Sequence, residues 1–165
     1  MENKGIQQMV RRLHEYYGGH PWYGRNVKEL LHEVSEDAAY WQPEGGHSPL
    51  ELLWHMITWK EFVWSRLEPQ PGMDLDYFDD YNWRPLDHSD KNLWQEGLRR
   101  YDEVHRNMMA VIEKQNDSIL PETVPGRSRG YTYEILLEGI AVHDVYHLGQ
   151  ITILNKISAG LLKKK

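Results

Sequence analysis

The chain has 165 residues, 40% of them hydrophobic, a formal net charge of −6 and no cysteine. That length and composition suit one globular domain, taken as residues 1–165, and argue against a disordered chain. The acidic balance argues against a general nucleic-acid binder, and the missing cysteine excludes disulfides and thiolate metal sites.

No stretch approaches the ~20 apolar residues of a membrane span, and residues 1–13 lack the apolar run of a signal peptide. A cytoplasmic, membrane-free protein is therefore expected. Seven Trp and ten Tyr stand against two Phe. Such a composition points to a core and clefts built from rings that carry a polar edge.

The apolar spacing is helical almost throughout. A first helix is expected over residues 4–17, with Ile6, Met9, Val10, Leu13 and Tyr17 on one face, ended by Gly18-Gly19-His20-Pro21. Asn26 followed by Glu29 marks the start of a short helix, and another turn follows Ser35. Ser48-Pro49-Leu50-Glu51 is a strong start signal: a capping Ser, Pro at the first helical position and Glu two residues later. The helix it opens, to about residue 67, is apolar nearly all round, so cover on more than one side is expected, from the bundle and a second subunit. Residues 68–88 form a long acidic, aromatic connection. A third long helix is expected over 89–115 on the stripe Trp94, Leu98, Tyr101, His105, Met108 and Ile112. A second loop covers 116–130, and a last helix runs from about 132 to 155 or slightly beyond. Four long helices without strand alternation predict an all-α four-helix bundle.

The chemistry sits in His143-Asp144-Val145-Tyr146-His147-Leu148-Gly149-Gln150. Residues four apart share a helical face, so His143 and His147 can bind one metal ion. Both fall on the apolar stripe Leu136, Ile140, His143, His147, Ile151 and Leu154, where a polar ring needs a partner. His55, inside the apolar second long helix, is the candidate third ligand. His105, on an apolar stripe of its own, is the outside candidate for a further one. His14, His20, His32, His47 and His88 are read as solvated. Asp144 follows the first histidine where a zinc protease carries Glu, so protease chemistry is not assigned. Asp144 and Gln150 are candidates to orient the ligand rings.

Together, His47-Ser48-Pro49-Leu50-Glu51-Leu52-Leu53-Trp54-His55 and the His143–Gln150 element, extended by Ile151, resemble the DinB/YfiT-like superfamily. Pro21-Trp22-Tyr23-Gly24 and Asn82-Trp83-Arg84-Pro85 fit one branch of it. The resemblance implies a four-helix bundle holding a divalent metal, often zinc or nickel, on three histidines, here His55, His143 and His147. It also implies a homodimer. Some relatives are thiol S-transferases that join a low-molecular-weight thiol, such as bacillithiol or mycothiol, to an electrophile.

On that reading the metal takes the thiol sulfur or a water, and a small-molecule substrate lies in a cleft edged by the 68–88 connection. Tyr77, Tyr81 and Trp83 would stack on it, or simply pin the connection. Arg127 and Arg129 are candidate clamps for the carboxylates of an acidic thiol. Two alternatives stay open: a metal-dependent hydrolase, for which Glu51 is the one candidate base, and a non-catalytic metal- or small-molecule-binding protein.

Overall fold

A computed structural model describes residues 3–126 and 130–162, the last without its side chain. Seven α-helices are present among them: α1 (Lys4–Gly18), α2 (Val27–His32), α3 (Glu36–Tyr40), α4 (Pro49–Leu67), α5 (Leu75–Asp80), α6 (Leu93–Ile112) and α7 (Tyr133–Leu162). The four long ones, α1, α4, α6 and α7, make the expected bundle. Among the described residues the β-structure is limited to an isolated antiparallel bridge, Thr123 to Thr132, at the entry to α7.

The helix starts follow the local chemistry. Asn26 and Ser48 each accept from the backbone N–H three residues on, while Glu29 and Glu51 accept from the cap backbone in return. Two of the orphan donors at each helix start are thereby satisfied. Helix α1 is capped from a distance: Asp117 accepts from the backbone N–H of Gly5 (3.0 Å) and Ile6 (2.9 Å). Helix α6 starts later than its apolar pattern suggests. Asp87 and Asp90 hold the preceding residues in side-chain turns, accepting from the backbone N–H of Ser89 and Asn92. Such local bonds compete with helix formation.

Helix α4 is the axis of the fold. Fourteen of its nineteen residues are buried, within a single chain. Its cover comes from α6, α7, α3 and the 68–88 connection, so a second subunit is not needed there, contrary to the expectation from its all-round apolar sequence. The α4–α6 approach is close at Gly97, where a Cβ would meet Leu53 Cδ2 at 2.9 Å and Trp54 Nε1 at 3.2 Å. The face left uncovered belongs to α7. There Ile135, Val142, Tyr146, Ile153 and Ile157 recur at helical spacing and stay exposed.

Candidate metal centre

His55 lies near the middle of α4, and His143 and His147 lie one turn apart on the facing side of α7. The fold brings one ring nitrogen of each to within 4.8 Å of the other two. His55 Nε2 and His143 Nε2 are 3.1 Å apart. Two nitrogens on one tetrahedral zinc at ~2.0–2.1 Å would stand about 3.3 Å apart, close to that separation.

The far side of each ring explains why these nitrogens are available. His55 Nδ1 donates to the Asn82 carbonyl at 2.8 Å, and His147 Nδ1 donates to Gln150 Oε1 at 2.7 Å. His143 Nδ1 is 3.7 Å from Asp144 Oδ1, and neither buried atom has a hydrogen-bond partner. The carboxylate favours the proton on Nδ1 there too. The Nε2 atoms of His55 and His143 then turn lone pairs toward each other at 3.1 Å, a repulsive arrangement that a shared cation relieves. The donor set fits a divalent metal on that ground.

Two of the imidazoles, His55 and His147, are tuned toward the neutral, ligating form. Burial lowers His55 to about 4, against an opposing pull from the Asn82 carbonyl and with a further push from His143 and His147. Burial lowers His147 as well, partly offset by its bond to Gln150. Neutral rings are what a metal requires.

The 68–88 connection lies over this centre rather than beside an open cleft. Trp83 stacks on His55 (ring centroids 4.0 Å apart, planes 7° apart), and His47 stacks on the other part of this layer, 3.7 Å from Trp83. His47 is therefore packed against an indole and not simply solvated. Asn82 Oδ1 accepts from Trp59 Nε1, and Arg84 donates to Thr58 while lying over the rings of Trp54 and Tyr81. Tyr77 and Tyr81 stack on each other. These contacts pin the connection to α4.

Behind His143 is a buried polar network that the sequence reading missed. Asp144 is fully buried and faces the neighbouring helices. Its Oδ2 accepts from Lys60 Nζ (2.9 Å), Tyr101 Oη (2.6 Å) and Tyr16 Oη (3.1 Å). Lys60, also without exposure, donates to Tyr16 Oη at 2.7 Å. Burial alone would raise the Asp144 carboxyl, but Lys60 and the hydrogen-bond donors outweigh it and hold the group down to about 2. His105 belongs to this network and not to the metal cluster: Nδ1 is 3.3 Å from Lys60 Nζ, and its ring stacks on Tyr17. It is thereby removed as a further ligand. The signal for this network was two opposite charges, Lys60 and Asp144, on helices otherwise rich in apolar residues.

Glu51 closes its capping box, with Oε2 accepting from Ser48 N at 2.8 Å. Arg127 and Arg129 lie outside the described residues.

A sequence model of the DinB superfamily matches residues 23–151. The chain belongs to the DinB superfamily. The matched span includes all three histidines, and the all-helical structure agrees with the family. None of the curated proteins matches the chain. This DinB protein thus carries a largely buried three-histidine group that can hold a metal ion.

Proposed function

We propose that this protein is a metal-dependent thiol S-transferase, joining a low-molecular-weight thiol to an electrophilic small molecule. His55, His143 and His147 hold the cation, zinc or nickel. Bound there, it supplies Lewis acidity that lowers the pKa of an incoming thiol, whose proton is lost to solvent. Asn82, Asp144 and Gln150 keep the three rings aimed, and Trp83 shields the His55 side from water. Arg127 and Arg129 pair with the carboxylates of an acidic thiol. The setting is the cytoplasm, where such thiols are kept reduced.

The observation that carries this reading over hydrolysis is the engagement of the nearby carboxylates. A hydrolase needs a base to activate water. Glu51 is committed to its cap, Glu61 is paired with Arg100 and Arg84, and Asp144 is locked behind His143. Thiol transfer needs no such base, because coordination itself produces the nucleophile.

The active form is a homodimer in which a second copy covers the outer face of α7. Val142, Tyr146 and Ile153 there are 69%, 63% and 59% exposed, and Trp22 beside this face is 95% exposed. An isologous contact along this 30-residue helix would have to bury about 800 Å² per partner to reach the scale of a standard interface.

The test is turnover. The metal-loaded protein is offered several low-molecular-weight thiols with a generic electrophile, and S-alkylated product is read by mass spectrometry. Product with one thiol, lost on chelation, supports the proposal. A metal-loaded protein that forms no conjugate with any thiol overturns the transferase and leaves a metal-binding protein.

A further inference from the structure

A cleft of about 700 Å³ lies between α1, the turn at residues 20–23 and α7. Its α7 wall is made by Ala141, Val142 and Val145. Ala141 and Val145 are each two residues from His143, about 160° round the helix from it, so this wall is the face of α7 turned away from the triad. The α1 wall carries Arg11, Arg12 and Glu15, above a floor that includes Tyr16. That tyrosine is 4% exposed, and its hydroxyl donates to Asp144.

Two features point to a ligand. The first is the turn that closes one end with Trp22 and Tyr23. It is braced: Gly24 N–H donates to the Pro21 carbonyl at 2.9 Å, His20 N–H to Glu15 Oε2 at 3.0 Å, and Asn26 Nδ2 to the Gly19 carbonyl at 3.0 Å. Yet Trp22 stands out in water, next to the exposed Tyr23 and Val142. A held indole joined to further apolar surface is a contact waiting for a partner. The second is charge. The chain carries −6, but among the described lining residues Arg11, Arg12 and His20 stand against Glu15 alone. Glu15 is engaged by the His20 N–H, and Arg12 is shared with Glu138 at 3.1 Å. Arg11 sits exposed on the rim.

We propose that this cleft is a second small-molecule site, which binds a planar aromatic carboxylate. The ring packs on Val142 and Val145 beneath Trp22, and the carboxylate pairs with Arg11. The size suits two fused rings, since a cavity of roughly 150 Å³ holds one benzene. The site is independent of the metal reading. A second copy on the outer face of α7 would border it along Val142 and Trp22.

The test titrates the full chain, zinc-loaded and metal-free, with naphthoate, with its neutral amide and with the saturated decalin carboxylate. Dissociation constants are read from the methyl resonances of Ala141, Val142 and Val145. Naphthoate is expected to bind about fivefold tighter than the amide, for an exposed ion pair, and about fivefold tighter than the saturated acid, for ring stacking. Trp22→Ala, at a site almost wholly in water, is expected to weaken naphthoate about tenfold and to erase its advantage over the saturated acid. Arg11→Glu is expected to erase the advantage over the amide. Arg99→Glu makes the same charge change at an exposed site on α6 and is expected to keep it.

No shift at these methyls with naphthoate overturns the proposal, as does equal affinity for the three probes. So does an affinity unchanged in Trp22→Ala, or an advantage lost equally in Arg11→Glu and Arg99→Glu. Binding confined to the zinc-loaded chain assigns naphthoate to the metal centre and overturns the cleft. Binding that weakens as protein concentration rises gives the cleft to a second copy, and overturns it too.

Discussion

Replacing Lys60 by Met should destabilise the protein severely, although Lys60 touches neither ligand nor solvent. Its Nζ is fully buried and lies 2.9 Å from Asp144 Oδ2, 2.7 Å from Tyr16 Oη and 3.3 Å from His105 Nδ1. Met preserves most of the stem volume, so the loss is electrostatic rather than a cavity. It leaves the Asp144 carboxylate with two tyrosine donors and no counter-charge. Removing one partner of a buried pair costs about 3–5 kcal/mol, a large share of the roughly 5–15 kcal/mol that holds a domain together. For a chain of this size that is a fall in Tm of roughly 6–20 °C. Thermal and urea unfolding of metal-free Lys60→Met, Asp144→Asn and the double variant form the assay. The double variant should be less damaged than the two single losses added together, by at least about 2 kcal/mol, because neutral Asn no longer needs the cation. Additivity within about 0.5 kcal/mol, or a Lys60→Met cost below about 1 kcal/mol, would refute the buried ion pair.

Ser48→Ala removes the side-chain acceptor for Glu51 N and half of the box that starts α4. A loss of about 1–2 kcal/mol is expected by urea unfolding, with no change if the cap is dispensable. Metal-free protein should lose stability on mild acidification. His55 is held down to about 4 and His105 to about 2, whereas the unfolded chain takes up these protons near 6.5. The histidine contribution is complete above about pH 6.5, falls toward pH 4 as His55 protonates, and continues falling toward pH 2 through His105. A Tm unchanged between pH 7 and pH 5 would contradict this. Light scattering should report a dimer for the parent and a monomer for Ile153→Asp; a clean monomer mass for the parent would remove the α7 interface.

Much of the bundle was legible because its signals are local. Ser48, Pro49 and Glu51 announce α4 within four residues, and the i,i+4 pair His143 and His147 can share a site whatever the tertiary packing. His55 was readable as a ligand because a lone imidazole among Trp54 and Met56 demands a partner. The rest depended on distant segments. Asn82 reaches His55 only because the 68–88 connection folds back over α4, which spacing does not reveal. His105 reads the same as His55 on its own helix; only the arrival of Lys60 and Tyr17 assigns it to the polar network. The all-round apolar α4 suggested a missing subunit, but α6, α7 and the connection cover it within one chain, and the unpaired face lies on α7.

Elemental analysis of the purified protein beside its His143→Ala/His147→Ala variant tests the central claim most directly. About one divalent metal per chain is expected in the parent and none in the folded variant. Equal metal content in the two would contradict a site built on these three imidazoles.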